Sequence, residues 1–409
     1  MSGKIGLGWL VSLFVLASCS VRTAKTDAVQ GDTVTFRYAE HIAMVRYKGY
    51  TKVTLADPWK SGRVLHTYLL VPKKAPLPPH LPKGTVVRTP LRRTVVFPTA
   101  HCQLLYTIGA PEAISGVADL KYILIPDIHR RCALKTGPMK VTDCGDAMAP
   151  MIEKIIETRP DAMIVSPFEN SGGYGKIEQI GVPVIEAADY METSALGRAE
   201  WMRFYGLLFG REQAADSLFG VVDSTYRVLK RIVMKLPRGR SILTERKTGS
   251  VWYCPGGRST IGQLIADANG AYAFADDRSS GSLALSFEQV LNKAGETNVW
   301  AFKYNGKRPL SRRDLLAEFH GYASLKAFRT GEIYECNCSE VPFFEEVGFR
   351  PDRLLREFIL LTHPGAELGK LRYFSKLNES GHQILHRIGA VDHHALPAQS
   401  CSRIRSDSG

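Results

Sequence analysis

Apolar residues change their rhythm several times along this chain. Ile5 to Ala17 run without a charge behind Lys4. Over residues 33–71, "TVTFRYA", "IAMVRYKGYTKVTLAD" and "LHTYLLVP" are rich in β-branched and aromatic residues, with period-two stretches and a turn-forming Lys-Gly between them. That pattern predicts strands. The segment "PKKAPLPPHLPKG" (72–84) is a proline-rich break that neither a helix nor a central strand tolerates. From Thr94 the rhythm changes: "TVVFP", "AMIVSP" and "PVIEA" alternate with "APMIEKIIETRP" and "GYGKIEQIG". Strands alternating with helices predict a parallel sheet covered on both faces. Next, "SALGRAEWMRFYGLLF" (194–209) sets Trp201, Phe204, Tyr205 and Leu208 at helical spacing, and Gly210 breaks it. The stretch 211–236 resumes the helix, which would be roughly 39 Å long as one piece. A second alternating unit follows, with "RSILTERK", "VWYC" and "NVWAFK" as strands and "GRSTIGQLIADAN", "FEQVLNKAG", "SRRDLLAEFHGY" and "RPDRLLREFILLTHPG" as helices. The expected fold class is therefore α/β: two Rossmann-like lobes joined by one long rigid helix, with an N-terminal β-rich extension.

The opening apolar run is too short for a bilayer core, which takes about 20 residues. A basic start, a short apolar stretch and a small-residue exit describe a secretory signal. Leu16-Ala17-Ser18-Cys19 resembles the bacterial lipobox, which implies lipidation of Cys19; the alternative is an ordinary signal with an incidental cysteine. The expected segments are 1–18 signal, 19–32 tether, 33–93 β-rich extension, 94–193 first lobe, 194–236 helical connector, 237–366 second lobe and 367–409 tail. Such a chain lies outside the cytoplasm, lipid-anchored to a membrane.

Composition refines this picture. A hydrophobic fraction of 44% is ordinary for a packed core. The formal net charge of +13 favours anionic partners. Export argues against nucleic acid, and no basic stripe with interleaved aromatics supports it. Of 8 cysteines, 7 remain if Cys19 is acylated (8 − 1), so they cannot all pair internally. Cys336-Asn-Cys338 lacks the second pair of a zinc signature. Cys132 with Cys144 is one candidate bridge; the alternative is that the thiols stay free.

The order of motifs resembles one family: the extracytoplasmic solute-binding proteins of ABC importers for iron–siderophore complexes, haem and cobalamin. The motifs are "GAPEAISGVAD" (109–119), "MIEKIIETRPDAMIVSP" (151–167), "IEQIGVPVIEA" (177–187) and "SFEQVLNKAGETNVWAF" (286–302), and the likeness covers about 94–366. It implies a ligand held between two α/β lobes that a single rigid helix joins. It also implies docking on an ABC permease dimer through one glutamate per lobe; by motif position these are Glu153 and Glu288. Each also sits near a helix start, where a carboxylate is favoured without any docking role. The β-rich extension departs from the family pattern.

Ligand loops are expected at the carboxyl ends of the strands. They are 98–103 and 167–175 in the first lobe, and 253–260, 302–307 and 336–344 in the second. Phe168, Tyr174, Tyr253, Tyr304 and Phe343 supply aromatic faces there, each with core packing as the alternative. Arg258 and Lys303 could meet carboxylate or phosphate. His101 could be an axial ligand to haem iron or cobalt, or else a packing residue. No bare-metal site, resident cofactor or catalytic constellation is expected. The expected function is capture of an iron complex, a siderophore or haem, for an importer. Cobalamin is the alternative within that class, and an adhesin or tethered enzyme working through the extension is the alternative outside it.

Overall fold

The computed structural model describes residues 31–169 and 174–378. The export signal, Cys19, most of the tether, Cys401 and the end of the tail lie outside the described residues.

The chain begins with a five-stranded sheet: β1 (Asp32–Val34), β2 (Ile42–Tyr47), β3 (Tyr50–Ala56), β4 (Val64–Pro72) and β5 (Thr85–Thr89), in spatial order 1-2-3-4-5. Successive strands pair antiparallel, except that β5 runs parallel to β4 after the proline-rich crossover. The sheet does not stand apart. Met44, Val53, Leu55, Tyr68 and Val87 join the same buried cluster as residues of both lobes. Buried carboxylates pin its edge. Glu200 accepts the backbone N–H groups of Arg37, Tyr38 and Ala39 at 2.7–3.0 Å, and Glu192 accepts those of Glu40 and His41 at 2.9 Å.

The first lobe follows: β6 (Thr94–Val96), α1 (Thr99–Thr107), β7 (Ile114–Val117), α2 (Pro126–Cys132), β8 (Thr142–Asp143), a short hairpin of β9 (Gly145–Asp146) and β10 (Ala149–Pro150), α3 (Ile152–Thr158), β11 (Ala162–Val165), α4 (Lys176–Gln179) and β12 (Val184–Glu186). Its sheet is wholly parallel, in order β12-β11-β6-β7-β8. Strand alternation feeds two cores: Ala162 and Ile164 face the main cluster, while Met163 and Val165 face a second one with Phe97 and Ile177.

Then come α5 (Ala195–Glu200), α6 (Met202–Phe209) and α7 (Glu212–Val233). The stretch 194–209 is thus two helices rather than one. They meet at Trp201, whose buried indole N–H donates to Glu192 at 2.7 Å. Gly210 takes a left-handed turn (φ +66) and closes α6, as a glycine after a helix does. α7 is 22 residues, about 33 Å.

The second lobe holds β13 (Ile242–Thr244), β14 (Lys247–Thr248), β15 (Val251–Pro255), α8 (Thr260–Asp267), β16 (Ser282–Leu285), α9 (Phe287–Ala294), β17 (Val299–Tyr304), α10 (Arg312–Glu318), α11 (Lys326–Thr330), β18 (Ile333–Asn337), α12 (Phe343–Glu346), α13 (Pro351–Thr362) and β19 (Ser375–Lys376). β13, β17 and β18 are parallel, and β19 adds an antiparallel edge. The "VWYC" strand, β15, belongs instead to a separate antiparallel sheet with β14 and β16. Residues up to 378, expected in the tail, are part of this lobe: Tyr373, Phe374 and Leu377 are buried. The lobes touch where α1 packs on α12, and α13 of the second lobe packs on the connecting α7.

Candidate functional site

A cleft of about 430 Å³ opens between the lobes, within the range of small-molecule sites. Its first-lobe wall is built from the carboxyl ends of parallel strands: Phe97 follows β6, Ala118 and Asp119 follow β7, and Val165, Ser166 and Phe168 end or follow β11. Tyr122, Met148, Tyr174 and Ile177 line it as well. The second lobe contributes Asn305 after β17, Cys338 after β18, and Phe344. Five aromatic rings therefore line one hollow, with Asn305, Ser166 and Asp119 as polar points.

Of the expected ligand residues, the structure brings two to the cleft. Phe168 and Tyr174 line the cleft. The Tyr174 hydroxyl donates to Glu186 at 2.9 Å, which fixes the ring. In the second lobe the loops 302–307 and 336–344 reach the cleft, each through a neighbour of the expected residue, whereas loop 253–260 does not line it. Phe343 is buried against Tyr373 and Phe374, whereas Phe344, half-exposed at 50%, lines the cleft. Tyr304 is likewise a core residue. Its hydroxyl donates to the carbonyl of Arg308 at 3.1 Å, and burial beside Glu335 pushes its phenol well up. Lys303 pairs with Glu245 and lies 5.6 Å from the Phe343 ring. Arg258 is exposed and lines no part of the cleft. Tyr253 faces a separate groove of about 360 Å³ on the second lobe, because alternation along β15 buries Trp252 and Cys254 and turns Tyr253 out.

His101 is the clearest correction of placement. It is 3% exposed in α1, outside the cleft lining. Its Nε2 lies 3.0 Å from Asp189, and its ring meets Tyr205 and Phe349 edge-on at 4.6 and 5.1 Å. Burial opposes the charge on Asp189, but His101, Arg198 and the Tyr205 hydroxyl together hold its carboxyl below the usual range. A ring so enclosed by core partners cannot reach a ligand in the cleft.

The six described cysteines are free thiols, Cys132 and Cys144 included. Burial pushes these two up to about 11 and about 12. Cys336 and Cys338 face each other at 3.8 Å, and the Cys336 thiol holds Cys338 below its ordinary value. Among the described residues no cluster of three or more metal-ligating side chains occurs.

Glu153 and Glu288 are exposed in the first turns of α3 and α9. Its own backbone N–H and the Ser286 hydroxyl lower the Glu288 carboxyl.

Missed by the sequence reading were Phe97, Tyr122, Met148 and Phe344. The rule of strand carboxyl ends, applied also to the end of "AISGVAD", would have reached Ala118 and Asp119 beside Tyr122. Met148 sits between the two short strands of a hairpin that carries no apolar periodicity.

Two α/β lobes, a connecting helix and a cleft at the carboxyl ends of the strands define a solute-binding protein. The chain belongs to the periplasmic binding protein family, whose profile it matches over residues 96–338. Binding proteins of this family deliver ligands to ABC permeases, and they work outside the cytoplasm, as does this chain. The uncharacterised lipoproteins MJ0878 and MJ0872 of Methanocaldococcus jannaschii are each 23% identical to it; MJ0878 aligns with 85% of this chain and 86% of its own length, and MJ0872 with 87% and 89%. Among solved structures, a periplasmic heme binding protein from Pseudomonas aeruginosa superposes with a TM-score of 0.55 at 14% identity, covering 70% of this chain and 98% of that one. An ABC-type Fe3+-hydroxamate transport protein from Saccharomonospora viridis gives 0.51 at 18% identity, covering 68% and 94%. These likenesses establish a shared fold. No helix among the described residues is long and apolar enough to cross a membrane.

Proposed function

We infer that this protein captures an iron complex, a siderophore or haem, in the inter-lobe cleft and hands it to an ABC permease while tethered by lipid at Cys19. The observation that carries the reading is the cleft lining. Phe97, Tyr122, Phe168, Tyr174 and Phe344 converge from both lobes on one 430 Å³ hollow. Such a surface suits a metal already wrapped in its own organic ligands, whose periphery is apolar and planar in parts. The two structural neighbours whose names mention heme and Fe3+-hydroxamate lend support to that ligand class. Glu153 and Glu288 are the proposed docking anions, one on each lobe, and a cationic protein would be oriented by them at its permease.

The test is an absorbance scan and mass spectrum of the purified protein, followed by titration with haemin, ferrioxamine B and cyanocobalamin. Micromolar or tighter binding of one iron complex, without turnover, is the expected result. Binding of cyanocobalamin alone would move the assignment to the cobalamin branch, and binding of none would sink it.

A further inference from the structure

A larger hollow, about 640 Å³, lies between the β-rich extension and the first lobe. One wall comes from the loop after β3 and from β4 and β5, with Trp59, His66 and Thr85; the other comes from α4 through β12, ending in Glu186. Phe168 and Tyr174 line this groove and the inter-lobe cleft alike, so the two hollows meet at these rings.

Glu186 is the chemically unfinished member. It is 6% exposed and sits at the carboxyl end of β12, the sheet edge that builds the cleft. Oε1 accepts from the Tyr174 hydroxyl at 2.9 Å. Among the described residues no group donates a hydrogen bond to Oε2. His66 Nδ1 lies 3.2 Å from Oε2, within ion-pair range but not hydrogen-bonded to it, while His66 Nε2 is engaged by Thr85 at 2.8 Å and the ring stacks on Tyr68. The other two acids of the groove are occupied by backbone. Asp57 accepts from Trp59 and Lys60, and Glu178 accepts from Tyr174. A buried carboxylate oxygen without a donor is costly, so an incoming N–H or O–H gains strongly by completing it.

We propose that this groove is a second ligand subsite, in which Glu186 receives a protonated amine or hydroxyl arm of the complex held in the cleft while Trp59, Phe168 and Tyr174 flank that arm. The extension is then a specificity element. The proposal rests on the iron-complex reading of the cleft and adds a chemical requirement to it.

The probes are ferrioxamine B, a ferric trishydroxamate ending in a free ammonium, and the same complex N-acetylated at that end. Each is titrated into the full chain purified in detergent. Ferrioxamine B should bind about tenfold tighter or better, as expected for a donor reaching a buried carboxylate. Glu186→Gln, whose amide oxygen can still accept from the Tyr174 hydroxyl, should abolish that preference. Val86→Trp, which fills the groove from β5, should do the same without touching Glu186. Equal affinity for both complexes in the unaltered protein, or equal losses for both in the variants, overturns the proposal. Should neither complex bind, the iron-hydroxamate reading fails and the groove is judged alone with phenethylamine. Trp201, Trp252 and Trp300 are fully buried, whereas Trp59 is partly exposed in the groove. An emission shift with phenethylamine that is lost in Glu186→Gln and in Trp59→Phe upholds the subsite, and no shift overturns it.

Discussion

Glu346 shows how single charged residues hold this molecule. Burial alone would raise its carboxyl, yet Arg372, Arg353 and the Tyr373 hydroxyl, at 2.6–2.8 Å, bring it down to about 2. A carboxyl lowered in the folded state stabilises above its unfolded value and loses that contribution as pH falls through the folded one. The shift corresponds to about 3 kcal/mol, lost between roughly pH 4.5 and pH 2. Denaturant melts at pH 7, 4 and 2.5 should show a steep acid arm in the native protein. In Glu346→Gln the arm should be shallower and stability at pH 7 already reduced; an unchanged acid arm would refute the assignment. Residues like this one mark the limit of sequence reading. Strand ends could be found from apolar runs, so four loops that reach the cleft, 98–103, 167–175, 302–307 and 336–344, were legible, while the segments 118–123 and 147–148 were not. Which of two adjacent aromatics turns outward was not. Phe343 and Phe344 differ only in the face of α12 each occupies, and that is set by Tyr373 and Phe374 some 30 positions later. The choice for His101 between ligand and packing residue was illegible for the same reason, since its partner Asp189 is 88 residues away.

At the scale of elements, alternation and helical spacing identified the parallel core of the first lobe and the long α7, because both patterns are local. Elements anchored by distant carboxylates left no local trace. The extension reads as an addition but is built into the core through Glu200, which gathers three N–H groups from more than 160 residues away. Removing that acceptor strands buried donors and should cost about 3 kcal/mol. Glu200→Ala should therefore lower the melting temperature of the whole protein, while Glu200→Gln retains part of the loss; a drop confined to the extension would show that it folds separately. The return strand β19 follows the same logic. Glu357 is fully buried, and burial raises its carboxyl against the pull of three N–H groups, from Arg372, Tyr373 and Phe374, at 2.7–3.1 Å. Ending the chain at Gly369 leaves this acid without those donors and opens the edge of β18. That truncation should destabilise by about 3–5 kcal/mol, measured by urea unfolding. Adding Glu357→Leu to it should recover part of the loss, because an apolar residue needs no donors.

For the whole molecule, the question is how far the lobes move. The family likeness and the fold give one connecting helix, and contacts elsewhere reinforce it. α1 packs on α12, Glu345 of the second lobe accepts the N–H of Leu124 in the first at 3.0 Å, and Gln263 donates to the carbonyl of Thr193 at 2.8 Å. Closure by a wide hinge would break these bonds and bury nothing in return, so ligand binding should be a local rearrangement at the cleft mouth. Free and loaded protein should then give nearly superimposable small-angle scattering curves. A rigid body would also present the two proposed docking anions at a fixed separation whether loaded or empty, so on that proposal the permease senses the ligand through the cleft mouth rather than through their spacing. Glu153→Lys and Glu288→Lys should accordingly leave ligand affinity within about twofold, since neither touches the cleft, yet reduce uptake about tenfold or more, because each reverses the charge at a proposed docking point. Uptake that survives both reversals would remove these residues from the docking surface, and affinity that falls with them would place them in the binding site instead.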